Sequence, residues 1–169
     1  MKNIMLDVKS FQETLGGGYC GPASLKIVLN YYGMKKSEKE LAKLCNRDAD
    51  LGTDDKSMKK AAESLGFRVE IKNESNFDDI LGWLKKGVPV IVNWFTRGRY
   101  YYPEDEVADG HYSVIIGLDE TSIYLQDPEV GRVRKIKRED FYRVWFDYTS
   151  NFIEKWEDLI IRQIIAIYK

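Results

Sequence analysis

The stretch Gly16-Gly17-Gly18-Tyr19-Cys20-Gly21-Pro22-Ala23-Ser24-Leu25 places a thiol where a glycine-rich loop turns into a helix. Pro22 suits the first helical position, where its missing N–H costs nothing. From Ala23 to Tyr32 apolar residues recur at helical spacing, at Leu25, Val28, Leu29 and Tyr32, and Gly33 is the stop. Free N–H groups and the positive dipole end at such a start favour a thiolate and can receive an oxyanion. Cys20 is therefore a candidate nucleophile. The other cysteine, Cys45, falls on the apolar face of a helix and reads as a packing residue.

Outward from this stretch, the first half of the chain is helical. Ser37-Glu38-Lys39-Glu40 is a capping box for a helix through Leu41, Leu44 and Cys45. Thr53 or Asp54 caps a third helix with Met58, Ala61, Ala62 and Leu65 on one face, stopped by Gly66. Phe67 to Ile71 is a short strand, and a fourth helix runs from about Phe77 to Lys86. The second half reads as sheet. Val88 to Phe95 is a buried strand, His111 to Leu118 and Ile123 to Asp127 form a hairpin, and Gly131 to Ile136 adds a strand. Glu139 to Phe146 is a short helix, and Ile160 to Tyr168 closes the sheet. Helices first and strands later predict an α+β fold, an N-terminal helical half packed on a C-terminal antiparallel sheet, in one domain over residues 1–169.

His111 is the only histidine, and it opens the apolar run Tyr112-Ser113-Val114-Ile115-Ile116-Gly117. A histidine at a strand edge can reach a helix N-terminus and act there as a base. Asp127 ends the partner strand, just before Pro128. With an odd-numbered hairpin turn Ser113 pairs with Asp127, and the carboxylate lies diagonal to His111 on one face. An even turn sends it to the other face and leaves it as the initiator of an Asp-Pro turn. Thiol, imidazole and carboxylate are the parts of a cysteine nucleophile system. The amide of Gln12, eight residues before Cys20, can donate a second hydrogen bond to an oxyanion.

Composition narrows the alternatives. Lys plus Arg total 26 and Asp plus Glu 27, which leaves no basic field for nucleic acid and no polybasic membrane patch. No apolar run is long enough to span a bilayer, so no membrane insertion is expected. Met1 to Asp7 has no apolar signal core, and a cytoplasmic protein is the expectation. Two cysteines make no disulfide framework, and with one histidine they cannot fill an ordinary four-ligand zinc site without carboxylates. Neither a metal nor a cofactor is predicted, and no motif sets an oligomeric state.

Taken in order, Gln12, Tyr19-Cys20-Gly21-Pro22-Ala23-Ser24-Leu25, Asn30-Tyr31-Tyr32-Gly33, Gly110-His111-Tyr112-Ser113-Val114-Ile115-Ile116-Gly117 and Leu125-Gln126-Asp127-Pro128 resemble the bacteriocin-processing peptidase family. That family has a papain-like fold and cleaves after double-glycine leader sequences. The resemblance runs from about Val8 to Arg138 and takes in Leu51-Gly52-Thr53 and Leu65-Gly66-Phe67. It implies Cys20 as nucleophile, His111 as base, Asp127 as orienting residue and Gln12 as oxyanion donor.

The stretch around Cys20 also resembles phytochelatin synthase, a papain-like acyl transferase, whereas Asp127-Pro128 favours the peptidase branch. The expected function is hydrolysis of a peptide or small amide through an acyl-enzyme. An acyl transferase or amidase and a non-catalytic peptide-binding module are the alternatives. Tyr19, Trp94, Tyr101 and Gly110 are the substrate-binding candidates, although Trp94 and Phe95 also suit a core or cleft wall. Tyr101 falls in the run Arg97 to Glu106, read as a loop at the cleft rim. Gly16-Gly17-Gly18 imitates a leader cleavage site, but a globular domain follows it, and a mobile loop beside the nucleophile is expected.

Overall fold

The computed structural model describes residues 3–96, 109–149 and 153–169. In chain order the elements are β1 (Ile4–Met5), α1 (Cys20–Tyr31), α2 (Glu38–Leu44), α3 (Asp55–Ser64), β2 (Arg68–Lys72), α4 (Phe77–Lys85), β3 (Val90–Thr96), β4 (Asp109–Leu118), β5 (Ser122–Asp127), β6 (Arg132–Lys137), α5 (Arg138–Val144), β7 (Phe146–Tyr148), β8 (Leu159–Ile161) and β9 (Ile164–Tyr168).

Helix α1 begins at Cys20 itself, so Pro22 is its third residue and not its first. It still lies within the opening turn, whose N–H groups have no intrahelical partner, and the helix tolerates it. Ser37 closes a capping box with Glu40 at the start of α2. Asp54, not Thr53, caps α3 by accepting from Ser57 N. The closing strand is broken in two: Arg162 adopts a left-handed φ of 46°, so β8 pairs with β7 and only β9 joins the main sheet.

Among the described residues the main sheet has seven strands, in the order β2-β9-β3-β4-β5-β6 with β1 also paired to β4. Neighbouring strands in it are all antiparallel. Both faces are covered. Leu25, Val28 and Leu29 of α1, Leu41 of α2 and Met58 of α3 pack with Ile91, Val114 and Ile165 on one side. Ile80 and Leu84 of α4 and Phe141 of α5 pack with Val92, Ile115 and Leu125 on the other. That is why β3 is buried continuously from Val90 to Trp94 instead of alternating. Cys45 is fully buried in the first cluster, and burial pushes its thiol up to about 12, as suits a packing residue. Among the described residues no helix is long and apolar enough to cross a membrane.

Leu25 is fully buried one turn into the helix that carries Cys20. Leu25→Ala is expected to cost about 2–5 kcal/mol, read as a lower urea midpoint at unchanged slope.

Candidate active site

Strand register decides which face Asp127 occupies. Leu118 pairs with Ile123 and Gly117 with Tyr124, so the loop from Asp119 to Ser122 is an even turn. Carried on unbroken, this register would set Asp127 opposite Val114, on the α1 side of the sheet. A bulge between Ile115 and Gly117 intervenes, after which Ile115 pairs with Leu125 and Val114 with Gln126. The next step sets Ser113 opposite Asp127. Of the two parities left open by the sequence the turn has the even one, and the bulge restores the Ser113–Asp127 register that an odd turn would have set.

His111, 7% exposed, places Nε2 2.7 Å from Oδ1 of Asp127, itself 1% exposed. Arg134 of β6 donates from Nη1 to the other oxygen, Oδ2, at 2.8 Å, and Glu129 N–H donates to Oδ1 at 3.0 Å. Burial pushes the Asp127 carboxyl up, but hydrogen bonds and charge from His111 and Arg134 outweigh it and hold its pKa below the usual range. Burial also opposes charge on His111. Hydrogen bonds to Asp127 and Cys20, with their charges, overcome it and raise the imidazole well above its ordinary value. Asp127 occupies Nε2, which leaves Nδ1 for the thiol.

The thiol arrives from the opposite side. Sγ of half-buried Cys20, a ring nitrogen of His111 and a carboxylate oxygen of Glu13 all lie within 4.8 Å of one another. Among the described residues this is the one such group of three, and two of its members, Cys20 and His111, are a thiol and an imidazole side by side. The loop before Cys20 makes contacts of its own. Arg47 lies over the Tyr19 ring at 4.2 Å and donates to the carbonyl of Gly17. Gly18 has φ 69°, and a Cβ there would sit 2.6 Å from Gly52 Cα, so both conformation and space require glycine.

A cleft of ≈ 350 Å³ opens beside Cys20, lined among others by Gly18, Gly52, Asn93, Gly110 and Asp147. Burial pushes Asp147 up to about 6, against its hydrogen bonds from Tyr148 N and Asn93. A Cβ on Gly110 would fall 2.1–2.3 Å from the Asp147 carboxyl, so glycine before His111 makes room for that acid.

Of the residues singled out from sequence, Cys20, His111 and Asp127 come together, and Gly110 lines the cleft. Gln12 is exposed, and its Nε2 donates to the Glu129 carbonyl at 3.2 Å; the side chain beside the thiol is its neighbour Glu13. Trp94 is 2% exposed and forms a buried wall: its Nε1 donates to Ser113 Oγ, and Arg134 lies 4.9 Å from its ring. Tyr19 carries Arg47 on its ring. Tyr101 and its loop lie outside the described residues. Sequence reasoning passed over Glu13, Arg134 and Asp147. The strand alternation of β6 offered a signal for Arg134, but only the β5–β6 pairing shows what it faces.

A profile of the Peptidase_C39 like family matches residues 5–152. An uncharacterized protein of Methanothermobacter thermautotrophicus is 35% identical over 135 residues, covering 79% of this chain and 79% of its own. The peptidase domain of Streptococcus ComA, a bi-functional ABC transporter involved in a quorum sensing pathway, aligns with a TM-score of 0.68 at 21% identity. That alignment covers 94% of this chain and 97% of the ComA domain. A double glycine motif protease from an AMS/PCAT transporter, solved in complex with the leader peptide, aligns with a TM-score of 0.66 at 18% identity and covers 99% of each chain. The two structural likenesses are likenesses of fold.

Asp127→Asn removes the charge that raises His111 and leaves Arg134 without its carboxylate. The His111 pKa is expected to fall, which NMR titration reports cleanly because the chain has one imidazole. Stability should drop by about 3–5 kcal/mol, as when one partner of a buried pair is removed. Gly110→Ala is expected to displace Asp147 and slow alkylation of Cys20, with Asp147→Ala in the same chain restoring the rate.

Proposed function

Because the chain belongs to the Peptidase_C39 like family and has the fold of C39 peptidase domains, we propose that it is a papain-like cysteine peptidase acting on a peptide or small amide. In this reading Cys20 is the nucleophile, His111 the base and acid, and Asp127 the group that orients the imidazole. The observation that carries it is the buried Asp127–His111 contact at 2.7 Å together with Cys20 Sγ within 4.8 Å of a nitrogen of the same ring. A raised imidazole beside a thiol stores the proton on nitrogen and leaves sulfur as the attacking atom.

The thiolate attacks the carbonyl carbon, and free N–H groups at the start of α1 face the oxygen that becomes negative. His111 then returns its proton to the leaving amine, and water, deprotonated by the same ring, hydrolyses the acyl-enzyme. Asp127 keeps the ring in one tautomer and one orientation, held in turn by Arg134. Gln12 enters only through its bond to the Glu129 carbonyl, which ties the segment before the nucleophile to the end of β5. A protease of similar fold, from an AMS/PCAT transporter, was solved in complex with a leader peptide, which supports a peptide as the substrate class. Two free cysteines, one of them the nucleophile, suit a reducing compartment and support a cytoplasmic site of action.

Iodoacetamide labelling of Cys20 across pH, beside His111→Ala, tests the thiol–imidazole pair. Fast labelling at acid pH that is lost in the variant is expected; an ordinary thiol profile in both proteins defeats the enzyme reading. Incubation with double-glycine peptides, with and without an amine acceptor, then separates hydrolysis from acyl transfer.

A further inference from the structure

The mechanism above leaves Glu13 without a task, although its carboxyl is among the groups nearest the thiol. One carboxylate oxygen lies within 4.8 Å of both Cys20 Sγ and a His111 ring nitrogen, and Oε2 is buried without a hydrogen-bond partner. Backbone and neighbours set this direction. Glu13 N–H donates to the Pro128 carbonyl at 2.9 Å, Gln12 turns outward to Glu129, and Thr14 binds the Glu38 carboxylate through N and Oγ1 at 3.0 and 2.6 Å. Residue 13 therefore faces the thiol while 12 and 14 face away.

An ionised carboxylate is poorly placed there, short of water and close to a sulfur that must carry negative charge. A neutral carboxyl is a hydrogen-bond donor; a carboxylate is not. We propose that Glu13, through its protonated carboxyl, is the side-chain oxyanion donor of this site, in the place where the amide of Gln12 was expected. The proposal rests on the thiol-peptidase reading. In the acylation step a bond forms from Cys20 sulfur to the carbonyl carbon, and the carbonyl π pair moves onto oxygen. Glu13 O–H holds that oxygen by a hydrogen bond and keeps its own proton. Collapse returns the pair to carbon, breaks the bond to the leaving group and leaves Glu13 unchanged.

The groups facing Glu13 give the pH dependence its sign. They are Cys20 from α1, His111 from β4, Asp127 and Glu129 at the end of β5, and Glu38 from α2. Burial raises the carboxyl, the three acids raise it further and His111 lowers it, for a balance at about 7. The donor is present below that pH and disappears as pH rises through it, when a carboxylate replaces it opposite the oxyanion.

Two reactions of Cys20 separate this proposal from the reading beneath it. Acylation by p-nitrophenyl acetate passes through a tetrahedral oxyanion; alkylation by iodoacetamide does not. In the parent, the ratio of acylation to alkylation rate should fall about tenfold per pH unit above neutrality, until the backbone donors alone remain. In Glu13→Gln, whose amide donates at every pH, the ratio should be flat. In Glu13→Ala acylation should be lower than in Glu13→Gln by about 10²–10³ at all pH, and lower than in the parent only at and below neutrality, while alkylation persists. Coincident parent and Glu13→Gln profiles overturn the proposal, as does a folded Glu13→Gln that alkylates normally and fails to acylate. Alkylation that is slow and indifferent to His111→Ala removes the peptidase reading instead, and the donor with it.

Discussion

An ionised carboxylate in a protein interior is costly unless its oxygens are filled by donors, and the whole site is built around meeting that demand for Asp127. One oxygen takes His111 Nε2 and the Glu129 N–H, the other takes Arg134. The same bonds that stabilise the charge fix the imidazole: with Nε2 committed, the ring has one orientation and Nδ1 faces the thiol. Arg134 is itself held between Asp127 and the face of Trp94, whose indole N–H is satisfied by Ser113. Replacing any member leaves a neighbour buried and unpaired, which makes the arrangement specific as well as stable.

The fold delivers these groups from separate elements. Helix α1 packs its apolar face on one side of the sheet and presents Cys20 at its N-terminus. His111, Ser113 and Trp94 belong to the opposite face, where Trp94 joins the second core cluster. Thiol and imidazole meet because Cys20 opens α1 and His111 lies near the start of β4, so both stand where the helix and strand begin. The bulge in β4 is the small irregularity on which this depends, since an unbroken ladder would turn Asp127 away from His111.

Acidic groups near the thiol have divergent environments. Asp127 is held low by its donors, whereas Glu13 and Asp147 are raised to about 7 and about 6 by burial. Groups pushed apart in this way take different parts: a permanent charge that orients a base, and carboxyls that change state near neutrality. Gly110 belongs to the same logic, since its missing side chain is the space that Asp147 fills.

Much of this was legible in the chain alone. The glycine-to-helix transition at Cys20, the capping box at Ser37 and the apolar hairpin that starts at His111 are local signals, carried by residues a few positions apart. They determined the α+β class and named Cys20, His111 and Asp127, the three residues that the fold gathers. What tertiary structure alone decided was parity and facing. The turn is even and a bulge corrects it, Glu13 and not Gln12 turns toward the thiol, and Arg134 completes Asp127 from the next strand. The physical reason is that a one-residue shift exchanges the two faces of an extended chain without altering its pattern of residue types, and only pairing partners distant in sequence choose between them.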